Sequence, residues 1–321
     1  MGGKPKTKVM DLSIVIVNWN VRELLQRGLL SVDKALPDDL AAEVVVVDNA
    51  STDGSAEMVR CEFPAVRLVA SDENLGYARG NNRGAAETSG RYLLVLNPDT
   101  EIVDDALVTL VRYLDAHPPV GAVGPQLRYA DGTLQSSRRR FPTPATAFCE
   151  STLLHQWFPN NPVARRYHLA DQPVDMPQAV DWLVGAALMI RRAAWQQVGP
   201  LDESFFMYFE ELDWCRRGRT AGWEIHYVPA AQIVHYEGKS SEQVVAARTI
   251  RFQRSKVRYF RKYYGVGWAL VIRLFLLATF AYQLAEESLK WLVGHRRALR
   301  RERVAAYWQV LRSGLSQANS G

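Results

Sequence analysis

The sequence has few cysteines, and those it has lie far apart. The three cysteines among its 321 residues are Cys61, Cys149 and Cys215, and no two of them form a CxxC pair. This argues against a disulfide-linked scaffold and against a zinc ribbon, and it indicates a reducing compartment. Repeats and low-complexity tracts are also missing. With 48% hydrophobic and 23% charged residues, the chain can bury a core, which argues against a disordered polymer or a coiled coil.

A secretory signal is a second missing feature. The N-terminus carries lysines, but Asp11 interrupts the short apolar run that follows, and no small-residue cleavage site comes after it. We therefore expect no signal peptide, and we interpret residues 1–9 as a flexible tail. The length fits one large domain or two modest ones.

Positive charge is unevenly distributed along the chain. The net charge of +5 conceals 15 Lys and Arg against 4 Asp and Glu from Glu242 onwards, and 24 against 30 before that residue. The basic excess thus lies entirely in the last quarter. We predict a catalytic domain over 10–241 and a C-terminal module over 242–321 that has an anionic partner.

The first 130 residues alternate between short apolar runs and helical patterns. Runs that are apolar throughout indicate strands of a parallel sheet covered on both faces. The runs are Leu12–Trp19, Val44–Val47, Val66–Ala70, Tyr92–Leu96 and Val120–Val123, and the helical patterns are Val21–Leu36, Gly76–Thr88 and Asp104–His117. The predicted fold class is α/β, with a mostly parallel central sheet, helices on both faces, and a ligand at the carboxyl ends of the strands.

The pattern is weaker in the rest of the chain. Residues 131–178 are rich in Pro, Arg, Asn and Gln, and they predict a long functional loop with room for a short helix. Apolar order returns at Ala179–Ile190. We predict a helix around Glu210–Ala221, a short strand pair at Trp223–Val228 and Ala231–Tyr236, and helical structure from Ser240 onwards.

Asp48 ends a predicted buried strand. An Asp at this position faces the ligand crevice and can accept a hydrogen bond from a ribose hydroxyl or from the N3–H of a uracil or thymine ring. The alternative is that Asp48 and Ser51 cap the following helix. Ser51, Thr52 and Asp53 suit that capping position, whereas Asp48 lies too early, so we interpret Asp48 as a ligand-binding residue.

Three glycines spaced by four open the helical pattern Asn74–Gly84. The spacing is not that of the GxGxxG fingerprint, and no acidic residue follows at the distance a dinucleotide site requires. Glycines with Asn and Arg side chains at the start of a helix suit a phosphate-bearing ligand. The same spacing also lets a helix pack closely on a sheet, so both interpretations stay open.

Asn97 and Asp99 follow the predicted strand Tyr92–Leu96. Oxygen side chains at alternate positions point to the same side and can share a hard divalent cation with a diphosphate. The alternative is an ordinary Asn-Pro-Asp turn. Their place at a strand end favours the metal.

An aromatic run with three carboxylates occupies Phe205–Asp213. Aromatic walls desolvate a carboxylate and raise its pKa, as a general base for a hydroxyl requires. The alternative is a surface helix whose acidic first turn complements the helix dipole. Spacing alone does not separate the two.

Read together, these motifs resemble the family 2 glycosyltransferases of the GT-A fold, and within them the bacterial rhamnosyltransferase-like branch. The resemblance runs in unbroken order through residues 10 to 240. Its blocks are Ser13–Trp19, Asp48–Ser55, Asn74–Gly84, Asn97–Thr100, Asp131–Arg139, Gly185–Arg191, Gly199–Arg216, Gly222–Trp223 and His235–Ser240.

The resemblance implies an inverting transfer from a nucleotide diphosphate sugar, dTDP-rhamnose for this branch, with a divalent metal, Mg²⁺ or Mn²⁺, on the diphosphate. Asp99 corresponds to the last carboxylate of the family's DxD, and His235 to a His beside the metal or diphosphate. The implied nucleotide-sugar residues are Val17, Asn18, Asp48, Asn49, Asn74, Gly76, Arg79, Asn82, Asn97 and Arg216. The cleft for the donor sugar or acceptor is bordered by Arg138, Trp182 and Gly185.

Two positions depart from the family pattern. Asn97 replaces the first carboxylate of DxD, which leaves fewer charges for the metal. The acidic pair, usually Glu-Asp, is Glu210-Glu211 here. The expected base is Glu211, one methylene longer than the usual Asp, and Glu210 or Asp213 could exchange roles with it.

Other classes of protein fit the sequence less well. A nucleotidyltransferase usually carries a basic glycine-rich loop after its first strand, but no glycine follows Asn18 before Gly28. An NAD-dependent oxidoreductase lacks its fingerprint here, and a non-catalytic sugar-binding module would not need Asp99 and Glu211 together. UDP- and GDP-sugars stay open as donors.

The C-terminal module has the composition of a membrane-docking segment. Between Arg248 and Lys262 there are seven Arg and Lys and no acid, and Gly265–Ala285 is mostly apolar with one charge, Arg273. Length alone permits a transmembrane helix, but the buried charge and two basic flanks favour helices that lie on an anionic, cytoplasmic membrane face. A polyprenyl-diphosphate-linked acceptor would explain that surface. Packing on the catalytic domain or a homodimer is the alternative, and nucleic acid fits less well.

Overall fold

A computed structural model describes residues 10–150, 152–236, 245–294 and 296–316. The predicted tail over 1–9 and the predicted domain boundary at residue 242 lie outside these residues. The described residues form two compact units. The first comprises those within 1–139, 172–203 and 210–240, and the second those within 140–171, 204–209 and 241–321.

A mixed sheet forms the centre of the first unit. Among the described residues its strand order is β3-β2-β1-β4-β11-β6-β12-β5, with β7 beside β6 and β9 beside β12, and a separate pair joins β8 and β10. The strands are β1 (Leu12–Asn18), β2 (Ala42–Asn49), β3 (Arg67–Ser71), β4 (Tyr92–Leu96), β5 (Thr100–Val103), β6 (Val120–Arg128), β7 (Leu134–Gln135), β8 (Arg138–Arg139), β9 (Gln178–Val180), β10 (Trp182–Leu183), β11 (Ala187–Arg191) and β12 (Glu224–His235).

Six strands of the sheet point the same way, since β1, β2, β3 and β4 pair in parallel, β6 and β12 pair in parallel, and β11 runs antiparallel between β4 and β6. The helices of this unit are α1 (Arg22–Ala35), α2 (Ser55–Glu62), α3 (Gly76–Ala86), α4 (Ala106–Ala116), α8 (Arg192–Val198) and α9 (Glu210–Thr220). The predicted α/β fold with a mostly parallel sheet is therefore confirmed.

Alternate residues of β1 face two different cores. Leu12, Ile14 and Ile16 pack in a cluster that includes residues of α1, α2 and α4. Val15 and Val17 pack in a second cluster that includes Ala85 of α3. Since side chains alternate across a strand, these two clusters lie on opposite faces of the sheet, and helices cover both faces as predicted.

Two glycines of α3 allow this helix to approach the sheet. A Cβ at Gly80 would come within 2.9 Å of Val17 Cγ1, and one at Gly84 would overlap Val15 Cγ1. Gly76, by contrast, opens the helix with a positive φ of 77°. Close packing thus explains Gly80 and Gly84, while Gly76 belongs to the turn at the ligand end of the helix.

We expect Gly84→Ala to destabilise the protein by about 1–3 kcal/mol, since the added methyl group meets Val15 in a packed core. Equilibrium unfolding in urea would measure the loss. Gly267→Ala is the matched control, because Gly267 lies in a helix with open space around its Cα. We expect Gly267→Ala to stabilise the protein by about 0.5–1 kcal/mol. Equal effects of the two substitutions would contradict close packing as the reason for Gly84.

Two predictions about the second half of the chain are wrong. The predicted strand pair at Trp223–Val228 and Ala231–Tyr236 is one strand, β12, which runs parallel to β6 with a register shift between Val228 and Gln232. The predicted loop over 131–178 contains β7, β8 and three short helices, α5 (Pro144–Cys149), α6 (Leu153–Trp157) and α7 (Pro162–Tyr167). Helices of five or six residues are too short to show a clear periodicity in the sequence.

Two long helices dominate the second unit, α10 (Val245–Leu292) and α11 (Arg297–Ser313). Gly265, with a φ of 87°, divides α10 into a first arm, 245–264, and a second arm, 266–292. The second arm and α11 form an antiparallel hairpin, since the Phe280 ring lies 5.8 Å from that of Tyr307 and Glu287 pairs with Arg300. The predicted helical structure after Ser240 is confirmed for the described residues.

Candidate functional site

Asp48 lies in a hydrogen-bonded cluster at the carboxyl ends of β1 and β2. Asp48 lies opposite Asn18 in the parallel pairing of β1 and β2, and Asn18 Nδ2 donates to Asp48 Oδ1 at 2.9 Å. The Ser51 backbone N–H donates to Asp48 Oδ2 at 3.0 Å, and Ser51 Oγ accepts from Asn18 Nδ2 at 3.1 Å. The carboxylate is thus buried and held rigidly at the edge where a ligand is expected.

Asp53, and not Asp48, binds the backbone N–H groups at the starts of the neighbouring helices. Asp53 accepts hydrogen bonds from the backbone N–H groups of Arg22 at 2.8 Å and Ser55 at 3.0 Å, the first residues of α1 and α2. Ser51 and Thr52 do not cap α2 through their side chains; Gly54 is its N-cap. Asp53 therefore caps the helices, and Asp48 remains a candidate for binding a ligand in the crevice.

Asn49 and Asn74 continue this edge towards α3. Asn49 Nδ2 donates to the Gly76 carbonyl at 3.1 Å, and the Gly76 N–H donates to Asn74 Oδ1 at 3.0 Å. Val17 is buried against the position of Gly80. These contacts fix the turn between β3 and α3 against the end of β2.

Two other predicted nucleotide-sugar residues of α3 lie in different surroundings. Arg79 pairs with Glu73 at 3.2 Å and lines a cavity of about 360 Å³ at the end of β3. Both polar atoms of the Asn82 amide bond the main chain of Leu201, each at 2.9 Å. Asn82 therefore ties α3 to the segment before α9.

Asp99 and His235 meet where β5 begins and β12 ends. These two strands pair antiparallel with His235 opposite Thr100, which brings His235 Nε2 within 3.4 Å of Asp99 Oδ1. His235 Nδ1 bonds Gln135 Oε1 at 2.9 Å, and Asn97 Nδ2 lies 3.3 Å from Nε2. With Nδ1 protonated towards Gln135, the lone pair of Nε2 faces the Asp99 carboxylate.

This pair fits a divalent cation that also binds a substrate diphosphate. Asp99 is buried, and its Oδ1 has no hydrogen-bond partner among the described residues. No cluster of three or more His, Cys, Asp or Glu side chains suited to a metal occurs in the described part of the chain. Mg²⁺ is typically held by one or two protein groups with waters and phosphates, so two ligands and a diphosphate are sufficient.

Tyr77 and Gly185 connect this region to the carboxylates of α9. The Tyr77 hydroxyl donates to the Gly185 carbonyl at 2.8 Å, and the Gly185 N–H donates to Glu211 Oε1 at 3.3 Å. Burial and the charges of Glu210 and Glu211, with a smaller effect of Asp99, raise the pKa of Tyr77 well above its usual range. The charges of Glu210, Glu211 and Asp99 therefore all act on this one tyrosine.

Gly185 has no room for a side chain. A Cβ there would come within 3.2 Å of Glu211 Cγ. The close approach lets the backbone N–H of Gly185 hold the Glu211 carboxylate. Glycine at this position is thus explained by the carboxylate that it binds.

Glu210 and Asp213 are both buried, but they differ in their hydrogen-bond partners. Glu210 is buried, and its Oε2 has no hydrogen-bond partner among the described residues. Asp213 is also buried but pairs with Arg217 at 2.9 Å, and Arg217 in turn bonds the carbonyls of Val198 and Pro200. Asp213 therefore anchors α9, and it is not placed as a base.

The protein should become less stable as pH rises, because of Glu210. Burial and the charges of Glu211 and Asp213 raise the pKa of Glu210 well above its usual range. The folded protein therefore holds this proton more tightly than the unfolded chain. The stability it confers is complete below the ordinary carboxyl pKa and is lost as pH rises towards the raised one, by up to about 1.4 kcal/mol per pH unit.

The variant Glu210→Gln removes this titration, so its melting temperature should match the wild type near pH 4 and exceed it increasingly towards pH 8. Thermal unfolding across that range would measure the difference. Glu23→Gln, an exposed position on α1, is the control and should shift no curve. A Glu210→Gln protein that is equally destabilised at both ends of the range would contradict the assignment.

Three predicted residues remain, Arg138 and Trp182 of the cleft and Arg216 of the nucleotide-sugar set. Arg138 is buried and donates to the carbonyls of Gln172, at 2.8 Å, and Pro173. Trp182 is buried in β10, opposite Arg139 of β8. Arg216 is half-buried on α9. The His235–Ser240 block continues beyond the described residues after Tyr236.

Three residues of this site were missed by the sequence analysis. Tyr77 binds Gly185, Gln135 orients His235, and Ser51 supports Asp48. Ser51 had been interpreted as a cap, and Tyr77 had a local signal, since it follows the glycine that opens α3. Gln135 lies within the block Asp131–Arg139 of the resemblance, but no sequence pattern indicated its contact with His235, which is 100 residues away in the chain.

An α/β fold with carboxylates at the strand ends is typical of enzymes that bind a nucleotide, and comparison with known proteins specifies the class. Residues 13–196 match the family model "Glycosyl transferase family 2". The N-acetylglucosaminyl-diphospho-decaprenol L-rhamnosyltransferase of Mycobacterium tuberculosis is 30% identical over 282 residues, covering 84% of this chain and 90% of that one. Rhamnosyltransferase WbbL of Escherichia coli is 26% identical over 241 residues, covering 70% and 82%.

A solved structure shares the fold. The mannosyltransferase PcManGT of Pyrobaculum calidifontis, in complex with GDP-Man and Mn²⁺, superposes with a TM-score of 0.56 at 19% identity, covering 96% of this chain and 86% of that one. The chain belongs to glycosyltransferase family 2 and is a bacterial rhamnosyltransferase-like member of it.

Proposed function

We propose that this enzyme transfers L-rhamnose from dTDP-rhamnose, with inversion, to a hydroxyl of a polyprenyl-diphosphate-linked saccharide during cell-surface polysaccharide synthesis. The observation that carries the proposal is the chain of hydrogen bonds from Tyr77 through Gly185 to Glu211, next to the strand end that bears Asp99, whose Asn97 N–H donates to the Ala186 carbonyl. A metal-binding carboxylate and a candidate base in one place are what sugar transfer requires. The donor and acceptor follow from similarity to the mycobacterial relative, whose name specifies both rhamnose and a lipid diphosphate.

The nucleotide is assigned to the edge formed by β1, β2 and the start of α3. Asp48, held by Asn18 and Ser51, accepts a hydrogen bond from the ribose or from thymine N3–H. Val17, Asn49, Asn74 and Gly76 shape that edge. Arg79 and Arg216 are assigned to the phosphates, while Asn82 is left out because its amide is occupied by Leu201.

Asp99 and His235 are assigned to a divalent cation, Mg²⁺ or Mn²⁺, with Asn97 beside them. When bound, the cation supplies positive charge that stabilises the departing nucleoside diphosphate. Asp99 contributes its buried carboxylate oxygen and His235 the lone pair of Nε2. Gln135 keeps the histidine in the tautomer that this role needs.

Glu211 is assigned as the general base. It takes the proton of the acceptor hydroxyl while that oxygen forms a bond to C1 of the sugar, and the bond from C1 to the diphosphate breaks on the opposite face. Gly185 holds the carboxylate in place through its N–H. Glu210, with its raised pKa, stays protonated beside it, so that only one of the two neighbours is charged.

A panel of nucleotide sugars tests the proposal. The protein is incubated with Mn²⁺ and dTDP-rhamnose, UDP-sugars or GDP-sugars, with and without a polyprenyl-diphosphate GlcNAc acceptor, and released nucleotide is measured. We expect acceptor-dependent release from dTDP-rhamnose. Preference for a UDP- or GDP-sugar would replace the donor. A parallel incubation with a sugar 1-phosphate and dTTP tests the alternative, since release of pyrophosphate there would indicate a nucleotidyltransferase instead.

We further propose that the second unit docks on the cytoplasmic face of an anionic membrane. One described helix, over Ala246–Leu292, is long and apolar enough by length and composition to cross a membrane. Its second arm presents an uncharged face on which six large apolar or aromatic side chains are 49–66% exposed. They are Leu270, Val271, Leu274, Tyr282, Leu289 and Leu292.

The charges of the second arm are satisfied away from that face. Arg273 donates to the Gly314 carbonyl at 2.7 Å, at the C-terminal end of α11. Glu287 pairs with Arg300, and Lys290 with Glu286. An uncharged stripe on a helix whose other face is polar favours a position in the membrane interface, parallel to its plane.

The basic residues near the hairpin turn provide the electrostatic part of the docking. Arg296, Arg297, Arg301 and Arg303 are exposed there. In the first arm, by contrast, Lys256 is buried and donates to the Glu150 carbonyl. That arm contributes less to a membrane surface than its sequence indicates.

Liposome flotation tests the docking. The full chain should float with anionic liposomes and be released by high salt. Leu270→Ser with Leu274→Ser should abolish flotation and leave activity on a soluble acceptor analogue unchanged. A full chain that stays at the bottom at low salt would contradict docking, and light scattering of that sample would show whether the exposed face forms a homodimer.

A further inference from the structure

We propose that the first arm of α10 clamps the loop Ser204–Phe209 in a strained conformation, and that this clamp positions the carboxylates with which α9 begins. The inference rests on the proposed function, because it assigns Phe252 and Ser255 as positioning residues for Glu211. Neither residue is assigned to substrate or metal.

The loop is held against the intrinsic preference of its residues. Tyr208 and Phe209 both have positive φ, 69° and 71°. Bulky side chains rarely adopt this left-handed conformation, because it brings their Cβ into steric conflict with the backbone and costs free energy. Two in succession persist only where surrounding contacts outweigh that cost.

The first arm supplies those contacts. The Phe209 ring lies 5.5 Å from that of Phe252 and 5.7 Å from that of Tyr259, and the Tyr208 ring lies 5.6 Å from Phe252. Ser255 Oγ donates to the Met207 carbonyl at 2.9 Å. Aromatic pairs at these distances stabilise the packing beyond the apolar area that they bury, and three such pairs oppose the strain at two residues.

Two cations complete the clamp at the start of the loop. The Arg251 guanidinium lies 4.5 Å from the centre of the Phe206 ring, and the Lys262 ammonium lies 5.9 Å from that of Phe205. Phe205 is fully buried. Each of the five residues from Phe205 to Phe209 is therefore contacted by the first arm.

The position of this loop matters because Phe209 is followed directly by Glu210, the first residue of α9. If Tyr208 and Phe209 relaxed out of the left-handed region, the direction of the chain entering α9 would change. Glu210 and Glu211 would then move relative to Gly185, which binds the Glu211 carboxylate. A displacement of about 1 Å at a reacting group can cost on the order of 10²-fold in rate.

The test compares Phe252→Leu with Phe275→Leu in the full chain. The Phe275 ring packs edge-to-face on that of Phe148 in the same unit, so the control removes a ring pair formed outside the loop. We expect Phe252→Leu to lower kcat at least about tenfold, to leave the KM for the donor unchanged and to shift the acid limb of the pH profile of kcat. Phe275→Leu should change none of these.

Hydrogen exchange gives a readout that does not depend on activity. Amides of 204–213 should exchange faster in Phe252→Leu than in wild type or Phe275→Leu. Ser255→Ala should have the same effect in weaker form, and Ser255→Thr, which keeps the hydroxyl, should restore wild-type behaviour. If Phe252→Leu does not fold, the comparison of Ser255→Ala with Ser255→Thr provides the test.

The possible failures are distinguishable. A wild type that transfers no sugar contradicts the proposed function, while exchange still decides whether the loop is clamped. An active wild type whose Phe252→Leu variant behaves like Phe275→Leu, in both kcat and exchange, overturns the clamp.

Discussion

Glu211→Gln is expected to lower kcat by about 10²–10⁴-fold, because the amide cannot accept the proton of the acceptor hydroxyl. Affinity for the nucleotide sugar should stay within about twofold of wild type, since the nucleotide is assigned to Asp48 and its neighbours on a different edge of the site. The Gly185 N–H can still donate to the amide oxygen, so the position of the side chain is preserved. Steady-state transfer assays and calorimetric titration with dTDP would measure the two quantities.

Glu210→Gln is the matched control for this variant. It makes the same chemical change on the adjacent residue, but Glu210 is already protonated in the proposed mechanism. Its kcat should therefore fall much less. If instead Glu210→Gln abolished transfer and Glu211→Gln did not, the two residues would exchange roles, and near-normal turnover in both would remove the base from this pair.

Local patterns in the sequence were sufficient to predict the parallel strands β1 to β4 and β6, and with them the residues at the ends of β2 and β4. The runs that form β1, β4 and β6 are almost entirely apolar because both faces of these strands are buried, so period and length identify them without tertiary information. Asp48 and Asp99 follow from that assignment, because parallel strands bring their carboxyl ends to one edge. The Glu211 environment required the resemblance, since spacing alone left the acidic run undecided.

The features that could not be predicted from the sequence depend on contacts between residues far apart in the chain. Pro229 interrupts the apolar pattern of β12 and resembles a turn, yet the strand continues because its pairing with β6 resumes at Gln232. The cationic run of the first arm predicted a lipid-facing surface. Its Arg251 and Lys262 instead lie on aromatic rings of the 204–209 loop, and a charge pattern cannot show which partner a cation meets.

The second large effect is expected at the proposed metal site. Asn97 carries no charge, so Asp99 supplies the negative charge of this pair, and Asp99→Asn should remove most of the affinity for the cation. We expect Mn²⁺ to lose its ability to tighten dTDP binding, and transfer to fall by about 10²–10³-fold, the effect of removing one group that stabilises developing charge. Calorimetric titrations with dTDP, with and without Mn²⁺, would separate the metal-dependent part of the affinity.

Two further variants make this test specific. Asp48→Asn should weaken dTDP binding equally with and without Mn²⁺, because Asp48 is assigned to the nucleoside. Asn97→Asp restores the first carboxylate of DxD beside His235 and should tighten Mn²⁺ binding, since hard cations prefer charged oxygen ligands. If Asp99→Asn weakened dTDP binding by the same factor without metal, Asp99 would contact the nucleotide directly. The cation would then have to be assigned to other residues.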